Sequence, residues 1–191
     1  GVFGNHPFKK SGITLDWGAE VVGGMNMTSA VFVQQAYVEC SWRKLRLSVG
    51  QKERWGELVN HRLSTGSLVE SGNARPIPQV RLELRDYWNI PGTNGWLAIK
   101  GHLAYGMFTD GKWMQKNIAV DQKYTTGTIY HSKEGLMRFG NEEKFPLTAE
   151  IGLHMVTQFG GTSYNAADKP GYTIHNPSRI KDYFLALIPL K

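Results

Sequence analysis

The sequence predicts an all-β protein, an antiparallel up-and-down transmembrane β-barrel of which this chain is a part, with a short amphipathic helix near its C-terminal end. Three observations predict it. Apolar residues recur at every second position in runs set at regular intervals, the signature of strands with one face apolar. Long and short connections alternate between those runs. The face opposite the apolar residues carries more charge than the interior of a soluble sandwich tolerates.

The runs follow in chain order. Ile13, Leu15, Trp17, Ala19 and Val21 alternate with Thr14, Asp16, Gly18 and Glu20. Phe32, Ala36, Val38, Cys40 and Trp42 oppose Gln35, Tyr37, Glu39 and Ser41. After Arg43–Lys44, Leu45, Leu47 and Val49 oppose Arg46, Ser48 and Gly50. Val80, Leu82 and Leu84 then oppose Arg81, Glu83 and Arg85, and Leu97, Ile99, Leu103, Tyr105 and Met107 oppose Lys100, His102, Ala104 and Gly106. A sixth run, from about Thr126 to Phe139, alternates less cleanly. The seventh sets Leu147, Ala149, Ile151, Leu153, Met155 and Phe159 against Thr148, Glu150, Gly152, His154 and Gln158. Several runs reach the ~9–11 residues that a tilted membrane strand needs.

The longer gaps fall after Gly50, after Met107 and after Phe159, with short ones between, so a meander places the long loops at one end. That asymmetry is typical of outer-membrane barrels. A wet lumen accommodates Asp16, Glu20, Glu39, Arg46, Arg81, Glu83, Arg85, Lys100, His102, Glu150 and His154, whose carboxylates form with Arg46, Arg81, Arg85 and Lys100 an interleaved salt-bridge lattice. A soluble antiparallel sheet with its charged face in water is the rival reading. Seven strands do not close around a wide polar lumen, because diameter grows with strand number. The expectation is therefore that residues 1–191 form part of a single larger barrel domain. Near its end, Asn176 and Pro177 have the residue types of a helix cap and first turn. Ile180, Tyr183, Phe184, Leu187 and Ile188 then follow helical spacing, which predicts a helix over 177–188 ended by Pro189.

Composition narrows the alternatives. Lys and Arg number 22 against 16 Asp and Glu, a formal charge of +6 spread along the chain without a basic block or basic–aromatic stripe, so nucleic acid is not an expected partner. The single cysteine, Cys40, excludes an internal disulfide framework and a Cys-built zinc site. No apolar run approaches the ~20 residues of a membrane helix. The chain begins at Gly1 without a basic-plus-apolar leader, so any signal peptide is expected to be already absent. No His-x-His or His-Glu-x-x-His spacing, nucleophile elbow or glycine-rich phosphate loop occurs, and neither a metal, a cofactor nor a catalytic residue is predicted.

An ordered series of motifs accompanies the strands. Leu45-Arg46-Leu47-Ser48-Val49-Gly50-Gln51-Lys52-Glu53 leads to Leu63-Ser64-Thr65-Gly66-Ser67-Leu68 and to Ser71-Gly72-Asn73-Ala74-Arg75-Pro76-Ile77-Pro78. Ile90-Pro91-Gly92-Thr93, Lys100-Gly101-His102, Tyr105-Gly106-Met107-Phe108-Thr109-Asp110-Gly111, Tyr130-His131-Ser132-Lys133, Arg138-Phe139-Gly140 and Phe159-Gly160-Gly161 follow. The series resembles the capsule assembly Wzi family of Gram-negative outer membranes, over roughly residues 12–188. The Asn-Ala-Arg-Pro-Ile-Pro stretch with the later Tyr-Gly-x-Phe-Thr-Asp is its most specific part. The resemblance implies a many-stranded outer-membrane barrel with helical elements that associates surface polysaccharide with the cell, lectin-like and not enzymatic. Members of that family are longer, which implies that this chain is an internal part.

Five residues are candidate polysaccharide contacts. Arg75 stands between Asn73 and Pro76, in a loop that Pro76 and Pro78 stiffen. Its guanidinium either grips uronate carboxylates bidentately or anchors the loop to the barrel. Asp110, before Gly111, is read as turn chemistry or as a sugar contact. Tyr105 and Trp113, with Trp88 and Trp96, are read as a membrane-interface girdle or as sugar-stacking platforms. The expected partners are capsular or surface polysaccharide and outer-membrane lipid, in the outer membrane of a Gram-negative cell. A porin-like solute channel and a soluble carbohydrate-binding β domain are the alternatives.

Overall fold

The computed structural model describes residues 1–25, 29–56, 59–60, 62–64, 66–67, 69–71 and 74–188. Its elements run β1 (Val2–Phe8), β2 (Ile13–Gly23), β3 (Val31–Trp42), β4 (Leu45–Gln51), β5 (Gln79–Asn89), β6 (Leu97–Met107), α1 (Gly111–Asn117), β7 (Tyr124–Thr126), β8 (Ile129–Phe139), β9 (Ala149–Phe159), β10 (Thr162–Tyr164), β11 (Ile174–His175) and α2 (Ile180–Leu187). One antiparallel sheet of eight strands, ordered β1-β2-β3-β4-β5-β6-β8-β9, makes up most of the molecule. Strands β7, β10 and β11 form a small second sheet. The large sheet is a meander in which β1 and β9 are the two edges; among the described residues no pairing joins them.

The period-two runs become strands with the expected facing, except at Phe32, which pairs with Val22 and lies on the face opposite Ala36 and Val38. Leu45, Leu47 and Val49 pair with Leu84, Leu82 and Val80, and Val80 and Leu82 pair in turn with Tyr105 and Leu103. Glu39 pairs with Ser48 and Ser48 with Arg81 on the other face. Two irregularities separate sequence pattern from sheet. Glu20 pairs with Gln35 but Val21 with Val33, so Gln34 is an extra residue in β3. A second shift lies between Leu84 and Trp88 of β5.

Four expectations need correction. An eighth strand, β1, precedes the seven: Val2–Phe8 does not alternate and contains Gly4 and Pro7, yet pairs throughout with β2. Proline is tolerated there because the strand is an edge, and Gly4 leaves room for the Trp17 ring, which a Cβ would meet at 2.4 Å. The sixth run is two strands, because Gly127 adopts φ +65° between β7 and β8. The C-terminal helix starts at Ile180 rather than 177. Asn176 does not cap it, because its amide donates to Ser163 Oγ at 3.0 Å; instead the Arg179 N–H donates to the Asp182 carboxylate at 2.7 Å. Pro189 lies outside the described residues. Asp110 does not make a glycine turn: Gly111 opens α1, and the Asp110 carbonyl accepts from Met114 N–H at 3.0 Å.

The distribution of burial inverts that of a soluble domain. His131 is sealed on one side of the sheet, and Glu39, Ser48 and Ser132 are sealed on the other, polar side, while among the described apolar residues only Ala98, Ala104, Tyr130, Leu136, Ala166 and Ala186 are buried. Large apolar side chains on the opposite face stand in the open, among them Leu47, Val49, Val80, Leu82, Ile151 and Leu153. We call the two sides the polar face and the apolar face. At the end of the sheet where the turns 9–12, 43–44, 90–96 and 140–148 lie, the apolar face carries a row of exposed aromatics, Phe8, Trp42, Trp88 and Phe139. The long connections 52–78 and 108–128 leave from the other end. No helix among the described residues is long and apolar enough to cross a membrane.

Candidate functional site

The polar face is organised by two clusters, both set by strand register. The first surrounds Glu39, whose side chain is 1% exposed. As β4 leaves the sheet, the Gln51 amide donates to the carbonyls of Val33 and Gln34 at 2.6 and 3.0 Å, which fixes the bulged segment of β3. The chain then turns back across the polar face. Lys52 pairs with Glu39 and lies 4.4 Å from the centre of the Tyr37 ring. Arg54 Nη2 lies 3.5 Å from Glu39 and also donates to Ser48 Oγ. Arg46 reaches Glu39 at 4.0 Å and Glu83 at 3.1 Å, and Arg81 pairs with Glu83 at 2.7 Å. Burial pulls the Arg54 guanidinium below its ordinary pKa; the Arg81 cation adds to that pull and Glu39 opposes it.

The second cluster centres on Ser132. Its hydroxyl lies 2.9 Å from His102 Nε2 and 3.1 Å from His154 Nε2, joining β6, β8 and β9. The Glu134 carboxylate sits 3.9 Å from His102 Nδ1 and 3.6 Å from His154 Nδ1. From the long connection, Glu70 comes down onto this cluster: it accepts from Tyr130 Oη, and from Ser132 Oγ at 3.4 Å. Serine, histidine and glutamate together invite a hydrolytic reading. The geometry opposes it, because Ser132 is 0% exposed and the His Nδ1 separations exceed hydrogen-bond length. Among the described residues no group of three His, Cys, Asp or Glu is disposed to hold a metal ion. The cluster holds strands and loop together.

Between the clusters, at the long-loop end, a cavity of about 310 Å³ opens on the polar face. Arg54, Arg75 and Arg81 contribute its guanidinium groups, and Trp55, Phe108 and Tyr130 its aromatic rings. The carboxylates of Glu53 and Glu70 also line it, and Arg54 and Arg81 are paired with Glu39 and Glu83.

The predicted contacts divide. Arg75 lines this cavity, and its Nη2 also donates to Thr109 Oγ1 at 3.0 Å, tying connection 52–78 to the segment after β6. The bond to Thr109 is an anchoring contact of the loop. Tyr105 points to the apolar face, where it stacks on His131 with ring centres 4.3 Å apart and donates its hydroxyl to the Tyr183 carbonyl at 2.7 Å. Asp110 and Trp113 belong to the start of α1 and do not line the cavity. Asn73 lies outside the described residues. Sequence reasoning passed over Arg54 and Trp55, although Lys52-Glu53-Arg54-Trp55 interleaves basic and aromatic residues directly after a strand. Alternation places His102 and His154 on the polar face, and the register brings them together.

Comparisons with protein-family models, with curated proteins and with solved structures gave no match to this chain.

Proposed function

We propose that the chain is a stretch of outer-membrane β-barrel wall that holds acidic surface polysaccharide against a Gram-negative cell, as a lectin-like protein and not as an enzyme. One observation carries the membrane half of the reading: the sheet seals carboxylates, hydroxyls and imidazoles on one face and leaves Leu47, Leu82, Ile151 and Leu153 bare on the other. In water such a surface is an aggregation site; against acyl chains it is the ordinary exterior of a barrel. The aromatic row Phe8, Trp42, Trp88 and Phe139 stands where an interfacial girdle belongs. The likeness of the motif series to the Wzi family points the same way.

The cavity supports the ligand half. Arg75 is exposed, sits at the long-loop end and can turn from Thr109 to an anionic sugar, while Trp55 is 74% exposed. Each sugar contributes little, and a repeating polymer gains by occupying neighbouring sites. The test is retention of acidic and neutral glycans by the full-length protein in detergent, wild type against Arg75→Ala and Trp55→Ala. Loss of one charge-assisted contact worth about 1.5–3 kcal/mol predicts a tenfold or greater drop for acidic glycans with Arg75→Ala. Trp55→Ala lowers retention of both kinds. Unchanged retention in both variants removes the cavity from the reading. Steady single-channel current would instead make the protein a solute channel.

A further inference from the structure

Helix α2 poses a problem for the wall. It packs on the apolar face, over His131 and Lys133, the two polar side chains that β8 turns to that side. Lys133 Nζ donates to the carbonyls of Ala186 and Leu187 at 2.9 and 2.6 Å, so its charge meets the negative end of the helix. Tyr105 gives its hydroxyl to the Tyr183 carbonyl, and His131, 0% exposed, donates its Nδ1–H to the Ala104 carbonyl at 2.9 Å. At the other end of the helix, the Arg179 N–H is closed by Asp182. The helix therefore turns its polar needs toward the sheet and leaves Ile180 and Phe184 exposed at 77% and 62%, while Leu185 and Ile188, exposed at 58% and 53%, line an open groove beside Met155 and Phe159 of β9. This is the reverse of a helix lying on a soluble sheet, whose outward side is polar.

Resting on the barrel reading above, the geometry points to α2 as a lipid-facing helix. It lies on the outside of the wall at the long-loop rim, with Ile180, Phe184, Leu185 and Ile188 among the acyl chains of the bilayer. The occupant follows from continuity, since the outward side of α2 extends the same bare surface as Ile151 and Leu153 of β9. Its orientation also fits. The N-terminal end lies at the rim, where Ser178 approaches Gly160, and Lys181 on that end has the stem length to carry its charge up to the headgroups. The C-terminal end is deeper, over Lys133, where no water is available and the lysine supplies the missing donors. A polar notch in a lipid-facing strand pair is thus covered by a helix whose own exterior is hydrocarbon-like.

The test is spin-label accessibility in the full-length protein reconstituted in phosphatidylcholine vesicles, on a Cys40→Ser background. Labels go at Phe184→Cys and Ile188→Cys, with Leu153→Cys reporting the apolar face and Glu143→Cys reporting water. Collisions with dissolved oxygen are compared with collisions with a water-soluble nickel chelate. The proposal expects a several-fold higher oxygen-to-nickel ratio at 184 and 188 than at 143, equal to that at 153. A high ratio at 153 with a water-like ratio at 184 and 188 overturns the helix placement alone. Low accessibility to both reagents at 184 and 188 puts a protein partner there and overturns it equally. A water-like ratio at 153 overturns the barrel reading, and the helix placement with it.

Discussion

On the polar face of the sheet, Glu39 is held by Arg46, Lys52 and Arg54, and β3, β4, β5, β6, β8 and β9 each contribute a group that another strand satisfies. On the apolar face, side chains such as Leu82 touch their strand neighbours and little else, at 49% exposure. One face is cross-linked by polar contacts, and the other, outside the patch that α2 covers, is mostly exposed hydrocarbon. The difference teaches that cohesion here comes from paired charges rather than from an oily core, and that the apolar residues serve the surroundings.

The sharpest way to break that comparison is to remove the charge at its centre. Glu39→Ala strands Arg46, Lys52 and Arg54 without their shared carboxylate and is expected to cost about 3–5 kcal/mol of unfolding free energy, read from denaturant titration of the full-length protein in vesicles. Next in size, Leu82→Arg places a charge on the bare face. It is expected to cost about 2–4 kcal/mol if that face meets the bilayer midplane, whereas a water-bathed face would register within about 0.5 kcal/mol. Lys133→Met leaves two helix carbonyls without their charged donor and is expected to cost about 1.5–3 kcal/mol; protease cleavage within α2 rises in parallel. Arg75→Ala removes only an exposed bond to Thr109. Its stability cost stays within about 1 kcal/mol by the same titration, so a loss of acidic-glycan retention would report on binding.

Much of this was legible in the sequence, because period two is a local property. The seven runs and most of their facing could be read directly, but not the bulge at Gln34, which pairs Phe32 with Val22 and Val33 with Val21 and so puts Phe32 on the face opposite Ala36 and Val38. Strand β1 was not legible: Gly4, His6 and Pro7 offer no alternation, and only pairing with β2 makes it a strand. The residue types of the polar lattice could be anticipated, but not their partners, which depend on register. Ser132 joins His102 and His154 across three strands that no spacing rule connects. Tyr105 was placed on the apolar side by its alternation, yet its contact with Tyr183 depends on where a distant helix packs. Asp110 and Asn176 have the residue types of a turn and a cap, and each yields to a neighbouring contact that the local sequence does not encode.

The Ser132 cluster also keeps a strict count of protons. A hydroxyl has one hydrogen to give, and three acceptors stand around this one: two imidazole nitrogens and the Glu70 carboxylate. At most one imidazole can receive it, so the other must present its own N–H to the serine oxygen if that contact is a hydrogen bond. When the hydroxyl turns instead to Glu70, both rings must carry hydrogen on Nε2. The tautomer of His102 is thereby tied to that of His154 on another strand, and a single rotation of one hydroxyl rewrites both.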